Sequence, residues 1–356
     1  MTVDLGAIRD NYVNLRGKLE GVVCGAVIKA DAYGLGAVRV AAVLAKAGCD
    51  HFFVAHLDEG IAVRAHLPDH AKVFVLHGLM PGCEKLAHAH RLIPVLNGLE
   101  QIDAWAAFAR RMGRVLPAAI QADTGMSRLG ISPAELEGLA QRRGRLDGIG
   151  LCLVMSQLAR PERMDDFSAR QRERFLAVCR ALPSAPASIA SSAAIFGSRD
   201  CHFDVVRPGG ALYGLARSVV WSYAPRPVVR LQARVVQTRD VIAGDAVGYG
   251  LSFRTDKARR VATVAIGYAD GFPRILSNRG VAHLDEQPLP IIGSISMDLL
   301  TLDVSAIPAS RIPPGTPVDL IGPQQTLAAF AESARMMEDE VITLLGPRVR
   351  RVYEPA

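Results

Sequence analysis

Residues 22–36, VVCGAVIKADAYGLG, carry the pattern on which the fold prediction depends. The segment begins as an apolar run with β-branched residues, which is typical of a strand buried on both faces of a parallel sheet. The run ends at Lys29, and a helical pattern starts after Gly36. In a β/α barrel, a residue at such a strand end lies on the rim that carries catalytic groups. An isolated lysine there could equally point into water.

Strand-like runs and helical patterns alternate over the part of the chain that precedes Tyr213. Alternating βα units imply a parallel sheet, and eight of them predict a closed (β/α)8 barrel of the TIM type. The predicted strands are residues 22–28, 52–55, 73–76, 93–96, 116–120, 149–154, 187–190 and 203–206, with helices at 57–66, 100–111, 133–142 and 167–182. The last unit leaves room for only a short helix.

After Tyr213 the helical patterns give way to alternating, β-branched stretches bounded by Gly, Pro and Asp. These stretches predict an all-β domain, with strands at 228–242, 246–253, 260–267, 289–303 and 316–322 and one helix at 326–337. We therefore predict an α/β plus all-β chain. A (β/α)8 barrel covers residues 1–218, and a C-terminal, mostly antiparallel β domain covers residues 219–356. The first few residues could join the β domain.

Composition narrows the function classes. Half of the 356 residues are hydrophobic, and the net charge of +6 is spread along the chain. We expect no membrane span, no secretory signal and no nucleic-acid face, because the basic residues are not interleaved with aromatic ones. The six cysteines form no CxxC pair and read as reduced thiols of a cytoplasmic protein. The histidines show no metal-ligand spacing.

The ends of the later predicted strands carry a second signal. Ser192 follows strand seven, and Arg207, Gly209 and Gly210 follow strand eight. Barrels often hold phosphate in these two loops, and glycine lets the backbone approach phosphate oxygens closely. Alone, the glycine pair could simply make a turn. Together with a lysine on strand one, it indicates a phosphate-bearing aldehyde cofactor held at both ends, as pyridoxal 5'-phosphate is.

Six separate motifs resemble those of the alanine racemase family, in the family's order. They are AVIKADAYGLG at 26–36, DTGMSRLG at 123–130, DVVRPGGALYG at 204–214, VGYGLSF at 247–253, IGYADGFPR at 266–274 and GSISMD at 293–298. The resemblance covers nearly the whole chain. It implies a barrel joined to a β domain, pyridoxal phosphate as cofactor, and a head-to-tail homodimer whose active sites are shared between subunits.

The resemblance also implies residue roles in the barrel. Lys29 corresponds to the Schiff-base lysine, which also moves a proton. The phosphate contacts correspond to Tyr33, Ser192, Gly209 and Gly210. Arg207 corresponds to the partner of the pyridine nitrogen, and this nitrogen should stay unprotonated because an arginine does not give up its proton.

Further roles concern the substrate. Arg128 corresponds to the group that steers the substrate carboxylate, although a structural salt bridge with Asp123 is an alternative for it. Tyr249 corresponds to the second acid–base group, contributed to the partner subunit's active site; from sequence alone it could be a packed strand aromatic. Tyr268, Met297 and Asp298 correspond to partner-side residues at the entrance and around the substrate carboxylate.

Three positions depart from the family pattern. Gln121 stands where the family commonly has a carbamylated lysine; it can keep a hydrogen bond to Arg128 but cannot carry a carbamate. Gln157 replaces a histidine, so it can hydrogen-bond the Tyr249 hydroxyl but cannot become cationic. Pro347 replaces a further phosphate-binding tyrosine. These changes bear on rate and substrate range more than on the cofactor.

We therefore predict a cytoplasmic, homodimeric, pyridoxal-phosphate-dependent amino-acid racemase with alanine as its expected substrate. One alternative is a racemase of broader or altered specificity, for example for serine. Another is a non-catalytic pyridoxal-phosphate-binding protein built on the same barrel. The β domain and Tyr249 argue against this second alternative, because such carriers resemble the barrel alone.

Overall fold

The computed structural model describes residues 1–141, 143–215 and 224–356. The chain divides into two compact units, Ala7–Arg226 on the one hand and Met1–Gly6 with Pro227–Ala356 on the other. The predicted boundary between residues 218 and 219 lies outside the described residues. Within the described ranges, no helix is long and apolar enough to cross a membrane.

The first unit is the predicted barrel. Its strands all run parallel, and each lies within or beside a predicted apolar run. In order they are strand one, Val23–Cys24 with Ala26–Val27, followed by His51–Val54, Lys72–Val75, Leu92–Leu96, Leu116–Gln121, Ile149–Met155, Ala187–Ser188 and Val205–Val206 as strands two to eight. The predicted (β/α)8 architecture is confirmed.

Strand one closes the barrel by pairing on both sides. Val23 and Cys24 pair with strand eight, whereas Ala26 and Val27 pair with strand two. Gly25 separates the two halves, and a Cβ at this position would lie 2.8 Å from the ring of Phe53. Glycine is therefore required where the strand changes its pairing partner.

Helices follow most strands and cover the outside of the barrel. They are Leu5–Gly17, Ala37–Lys46, Leu57–Arg64, Glu84–Ala89, Leu99–Met112, Pro133–Gln141, Asp166–Ala181 and Ser192–Gly197. The longer ones begin and end at recognisable caps. Asp165 accepts a hydrogen bond from the Ser168 amide at one helix start, and Gly113 ends another helix in the left-handed conformation. The predicted helices agree with these bounds to within two residues.

The inside of the barrel is filled by side chains. Phe53 and Phe74 stack with their ring centroids 4.8 Å apart, and both are fully buried. Around them pack residues from most of the other strands: Val27, Ile93, Val95, Ala119, Leu153, Met155 and Val205. The interior is thus a packed core, and any reactive group must lie on the rim above it.

The second unit is built on a mostly antiparallel sheet, as predicted. The long strand Val229–Val241 pairs antiparallel with Thr2–Asp4, Arg259–Val264 and Pro317–Ile321. Among the described strands of this sheet, only Thr2–Asp4 and Val352–Glu354 pair in parallel. The remaining strands are Val281–Leu284, Gln287–Pro290 and Leu300–Asp303, and a separate ribbon joins Ala246–Val247 to Phe253–Arg254.

Three predicted elements of this unit were wrong in extent. The expected strand 246–253 is interrupted by a 3-10 turn at Tyr249–Leu251, because Gly248 and Gly250 take positive φ angles of 75° and 68°. The expected strand 289–303 is two strands joined by a loop that carries Met297 and Asp298. The expected helix 326–337 is two helices, Leu327–Ala334 and Glu338–Leu344.

Candidate active site

Lys29 follows strand one directly, at the C-terminal rim of the barrel. The Ile28 amide donates a hydrogen bond to the Phe53 carbonyl at 2.9 Å, so sheet pairing continues up to the residue before the lysine. The next four residues, Ala30, Asp31, Ala32 and Tyr33, take positive φ angles of 53–59°. They form one turn of left-handed helix, which we call the left-handed turn. Non-glycine residues rarely adopt this conformation in succession, so the surrounding contacts must impose it.

The left-handed turn directs Tyr33 toward the loop after strand eight. A Cβ on Gly209 would lie 2.5 Å from the Tyr33 hydroxyl oxygen, so only glycine fits there. The Ser192 hydroxyl accepts hydrogen bonds from the amides of Gly209 and Ala211, at 3.0 and 3.2 Å. Gly210 lies between these two amides. We name Tyr33, Ser192, Gly209 and Gly210 the phosphate cradle after the phosphate contacts predicted for them; hydroxyls and backbone amides approached without a Cβ suit such a group.

A second tyrosine fixes the position of Tyr33. Tyr213 is buried, and its hydroxyl donates to the Val27 carbonyl at 2.8 Å. Its ring lies 4.8 Å from the Tyr33 ring, between centroids. Burial raises the pKa of Tyr213 well above its usual value, so this hydroxyl remains a neutral donor. The structure thereby ties the phosphate cradle to strand one.

Arg207 is a buried cation whose described partners are all neutral oxygen atoms. Its Nη atoms donate to the Ser188 hydroxyl at 2.5 Å, to the Ser156 carbonyl at 2.7 Å and to Gln157 Oε1 at 3.0 Å. Burial lowers the pKa of Arg207 to about 10, which still leaves the guanidinium charged near neutral pH. A side chain held in this way fits a ring nitrogen that needs a hydrogen-bond donor and no proton.

The loop after strand five places Arg128 at the rim. The Asp123 carboxylate accepts hydrogen bonds from the amides of Gly125, Met126 and Ser127, at 2.9–3.1 Å. Burial opposes its ionisation, but these donors hold the pKa of Asp123 below its usual value. Asp123 thus shapes the loop, and no ion pair between it and the exposed Arg128 is found in the described part of the chain.

The Gln121 side chain is hydrogen-bonded to the backbone. Its Nε2 donates to the Leu129 carbonyl at 3.2 Å, and no hydrogen bond to Arg128 is found among the described residues. The Gln121 side chain is buried, so its amide is satisfied by the nearest backbone acceptor. Gln121 therefore supports the backbone beside Arg128.

Lys29 and Arg128 share one region of the rim. Burial lowers the pKa of His77, and so do the charges of His56, Lys29 and Arg128, while Glu59 acts in the opposite direction. The His56 and His77 rings meet edge to face, with centroids 4.5 Å apart. The lysine and the arginine thus both lie near His77, a residue that the sequence did not single out.

The remaining predicted residues lie in the second unit. The amides of Tyr268 and Ala269 donate to the carbonyls of Ser296 and Met297, at 3.1 and 2.9 Å, so Tyr268 and Met297 occupy adjoining loops. Arg348, next to Pro347, forms ion pairs with Asp298 at 2.8 Å and with Asp270 at 3.1 Å. The predicted residues Tyr268, Met297 and Asp298 are thus brought together.

Tyr249 lies in a loop beside the same segment. A Cβ on Gly248 would lie 3.1 Å from the Ser294 amide nitrogen, and the Ser252 and Ser294 hydroxyls are 3.0 Å apart. Tyr249 is 76% exposed, and other large apolar residues of this and the adjoining loops are exposed too: Leu251, Tyr268, Met297 and Leu299. Exposed apolar residues of this kind are typical of a surface that binds a partner or a ligand.

Sequence reasoning missed several residues that hold the site together. Ser156 and Ser188 fix Arg207, Tyr213 fixes Tyr33, and Arg348 fixes Asp298. Their positions at strand ends or beside the motifs were visible, but their partners were not, because each contact joins segments far apart in the chain. The roles assigned to the predicted site residues stay predictions.

Known proteins resemble this chain over its whole length. Residues 3–217 match the family model "Alanine racemase, N-terminal domain", and residues 228–353 match "Alanine racemase, C-terminal domain". The catabolic alanine racemase of Agrobacterium fabrum is 49% identical over 99% of this chain and 91% of its own length. The alanine racemase of Brucella abortus is 42% identical over 99% of this chain and 93% of its own.

A solved structure agrees with both the fold and the sequence. The crystal structure of alanine racemase from Bartonella henselae, with covalently bound pyridoxal phosphate, superposes with a TM-score of 0.94. It is 37% identical in sequence and covers 99% of this chain and 98% of its own. The family predicted from the six motifs is therefore confirmed, and the chain belongs to the alanine racemase family.

Proposed function

We propose that this chain interconverts L-alanine and D-alanine, with pyridoxal phosphate attached to Lys29 and with Tyr249 of the partner subunit as the second acid–base group. The proposal rests on one observation: Lys29, the phosphate cradle and Arg207 all lie at the C-terminal rim of the barrel. Family membership confirms the predicted racemase function and cofactor. When bound, pyridoxal phosphate supplies an aldehyde for the lysine amine and withdraws electrons from the substrate α-carbon.

The residues of the barrel divide the work of holding the cofactor. The phosphate cradle binds the phosphate group through hydroxyls and amides. Arg207 would donate a hydrogen bond to the ring nitrogen and would remain charged, since its pKa of about 10 lies well above neutral pH. Because Arg207 keeps its own protons, it would leave the ring nitrogen unprotonated, and the bound cofactor would then withdraw electrons less strongly and favour fewer side reactions.

Racemisation requires acid–base groups on both faces of the substrate. The reaction removes the α-proton from one face and returns a proton to the other, and one side chain does not easily reach both. The Lys29 amine serves one face and the Tyr249 hydroxyl of the partner subunit serves the other. Arg128 steers the substrate carboxylate, while Tyr268, Met297 and Asp298 of the partner subunit line the entrance.

This division of roles requires a homodimer. The exposed apolar residues around Tyr249 support it, because a partner surface would remove them from water. The expected compartment is the cytoplasm. All six cysteines are free thiols, which fits a reducing environment.

Incubation of the purified protein with pyridoxal phosphate and L-alanine tests the proposal. We expect the optical rotation to decay to zero, because the two enantiomers have equal free energies. Lys29→Ala should abolish the decay, and L-serine in a parallel sample measures breadth of specificity. Stable rotation of L-alanine with the intact holoenzyme would contradict the proposed function and favour a non-catalytic cofactor-binding protein.

A further inference from the structure

Glu59 connects the left-handed turn to the rim loop after strand two. Its Oε1 accepts a hydrogen bond from the Ala30 amide at 2.7 Å. Its Oε2 accepts from the amides of Ala55 at 2.7 Å and His56 at 3.2 Å. One carboxylate thus joins three backbone amides from two adjacent βα loops.

The Ala30 amide is the first N–H of the left-handed turn and belongs to the residue next to Lys29. The first amides of a helical turn have no acceptor within the turn, so an outside group must satisfy them. Asp31, the second residue of the turn, accepts a hydrogen bond at its Oδ1 from the amide of Ala37, the first residue of the next helix, at 2.7 Å. Glu59 therefore fixes the end of the turn that carries Lys29, while Asp31 links the turn to the start of that next helix.

Glu59 also has an ordinary helical role. It is the third residue of the helix Leu57–Arg64, and its bond to the His56 amide belongs to a capping box. A capping box occupies one carboxylate oxygen. The contact of the other oxygen with Ala30 is additional and has no role in that helix.

We propose that Glu59 is a positioning residue for Lys29, because its Oε1 anchors the start of the left-handed turn from which the lysine extends. This inference rests on the proposed function of Lys29 as the cofactor lysine. Without the anchor, the residues after Lys29 would relax toward ordinary backbone angles. The lysine amine would then spend less time where the cofactor aldehyde is held by the phosphate cradle and Arg207.

The variant Glu59→Gln separates the two roles. Glutamine has the same shape but a single acceptor oxygen, and its amide nitrogen is a donor. The oxygen should stay with the two donors Ala55 and His56, which preserves the cap. The amide nitrogen would then face the Ala30 amide, donor against donor, so only the link to the turn is lost.

Two measurements on Glu59→Gln test the inference. In cofactor-free protein, the Ala30 amide should exchange with solvent deuterium about tenfold faster, the scale of one lost hydrogen bond to a charged group. Amides within Leu57–Arg64 should keep their protection. When pyridoxal phosphate is added, the rate of its covalent attachment, measured by visible absorbance, should fall by a similar factor. Asp58→Asn is the matched control, since it removes a neighbouring exposed carboxylate, and both measurements should match the wild type.

Unchanged exchange at Ala30 in Glu59→Gln would overturn the inference, and so would faster exchange with an unchanged attachment rate. Glu59→Asp provides a second test, because the shorter side chain does not span both loops and should also release Ala30. If the cofactor of the wild-type protein is attached to a lysine other than Lys29, the proposed function is refuted. The exchange result at Ala30 would still stand. The two failures are thus distinguishable.

Discussion

At the scale of single residues, Gln157 is held in one orientation. Its Oε1 accepts from Arg207 at 3.0 Å, and its backbone carbonyl accepts from Gln171 Nε2 at 3.0 Å. The Nε2 of Gln157 is therefore the group left to donate toward a substrate-side hydroxyl. A neutral amide stabilises a tyrosinate less than a cationic imidazole does.

This orientation leads to a prediction about pH dependence. In Gln157→His, the reaction direction that depends on Tyr249 should gain rate at lower pH than in the wild type, because the imidazole can become cationic beside the phenolate. The direction that depends on Lys29 should change little and serves as an internal control. Full pH–rate profiles in both directions measure the effect. If the alkaline parts of the pH–rate profiles of Gln157→His and the wild type superimpose, Gln157 does not act on Tyr249.

At the scale of elements, the left-handed turn is the feature that sequence patterns described least well. The motif correctly ended the strand at Lys29, but the following residues were read only as a loop. Each of the four left-handed residues costs about 1–2 kcal/mol relative to the right-handed form. The hydrogen bonds from Ala30 to Glu59 and from Ala37 to Asp31 oppose this cost. Ala30 and Ala32 have no intrinsic preference for such a conformation, so local sequence could not predict it.

Other elements show the same limit. The G-Y-G sequence at 248–250 contained the signal for a broken strand, since two glycines flank Tyr249. The prediction of one continuous strand at 246–253 gave more weight to the alternating residue pattern around Tyr249 than to these glycines. By contrast, the hydrogen-bond partner of the buried Gln121 amide is the Leu129 carbonyl. Sequence periodicity carries no information about which nearby group a buried amide will bond.

At the scale of the whole molecule, the barrel was predictable because each βα unit repeats the same local pattern. The strands Thr2–Asp4 and Val352–Glu354 were missed because each has three residues and no alternation to recognise. They pair with each other from opposite ends of the chain. Such pairing depends on the rest of the folded sheet, so a short window of sequence carries no signal for it.

The shared active site leads to a complementation experiment. Lys29→Ala and Tyr249→Phe should each lower racemisation by at least about 10²-fold as homodimers, the scale of one lost acid–base group. After subunit exchange in an equal mixture, half of the dimers are mixed and each has one complete site, so roughly a quarter of the wild-type activity should return. Proven exchange without recovery would mean that the two residues do not meet across a dimer. Exchange of Lys29→Ala with itself is the control.

The most direct test of the account is to find the lysine that carries the cofactor. The purified holoenzyme is reduced with borohydride, digested, and its pyridoxyl peptide is identified by mass spectrometry. We expect one modified peptide, with the label on Lys29 in the sequence AVIKADAYGLG. A label on any other lysine, or an unmodified Lys29 in protein that retains racemase activity, would contradict it.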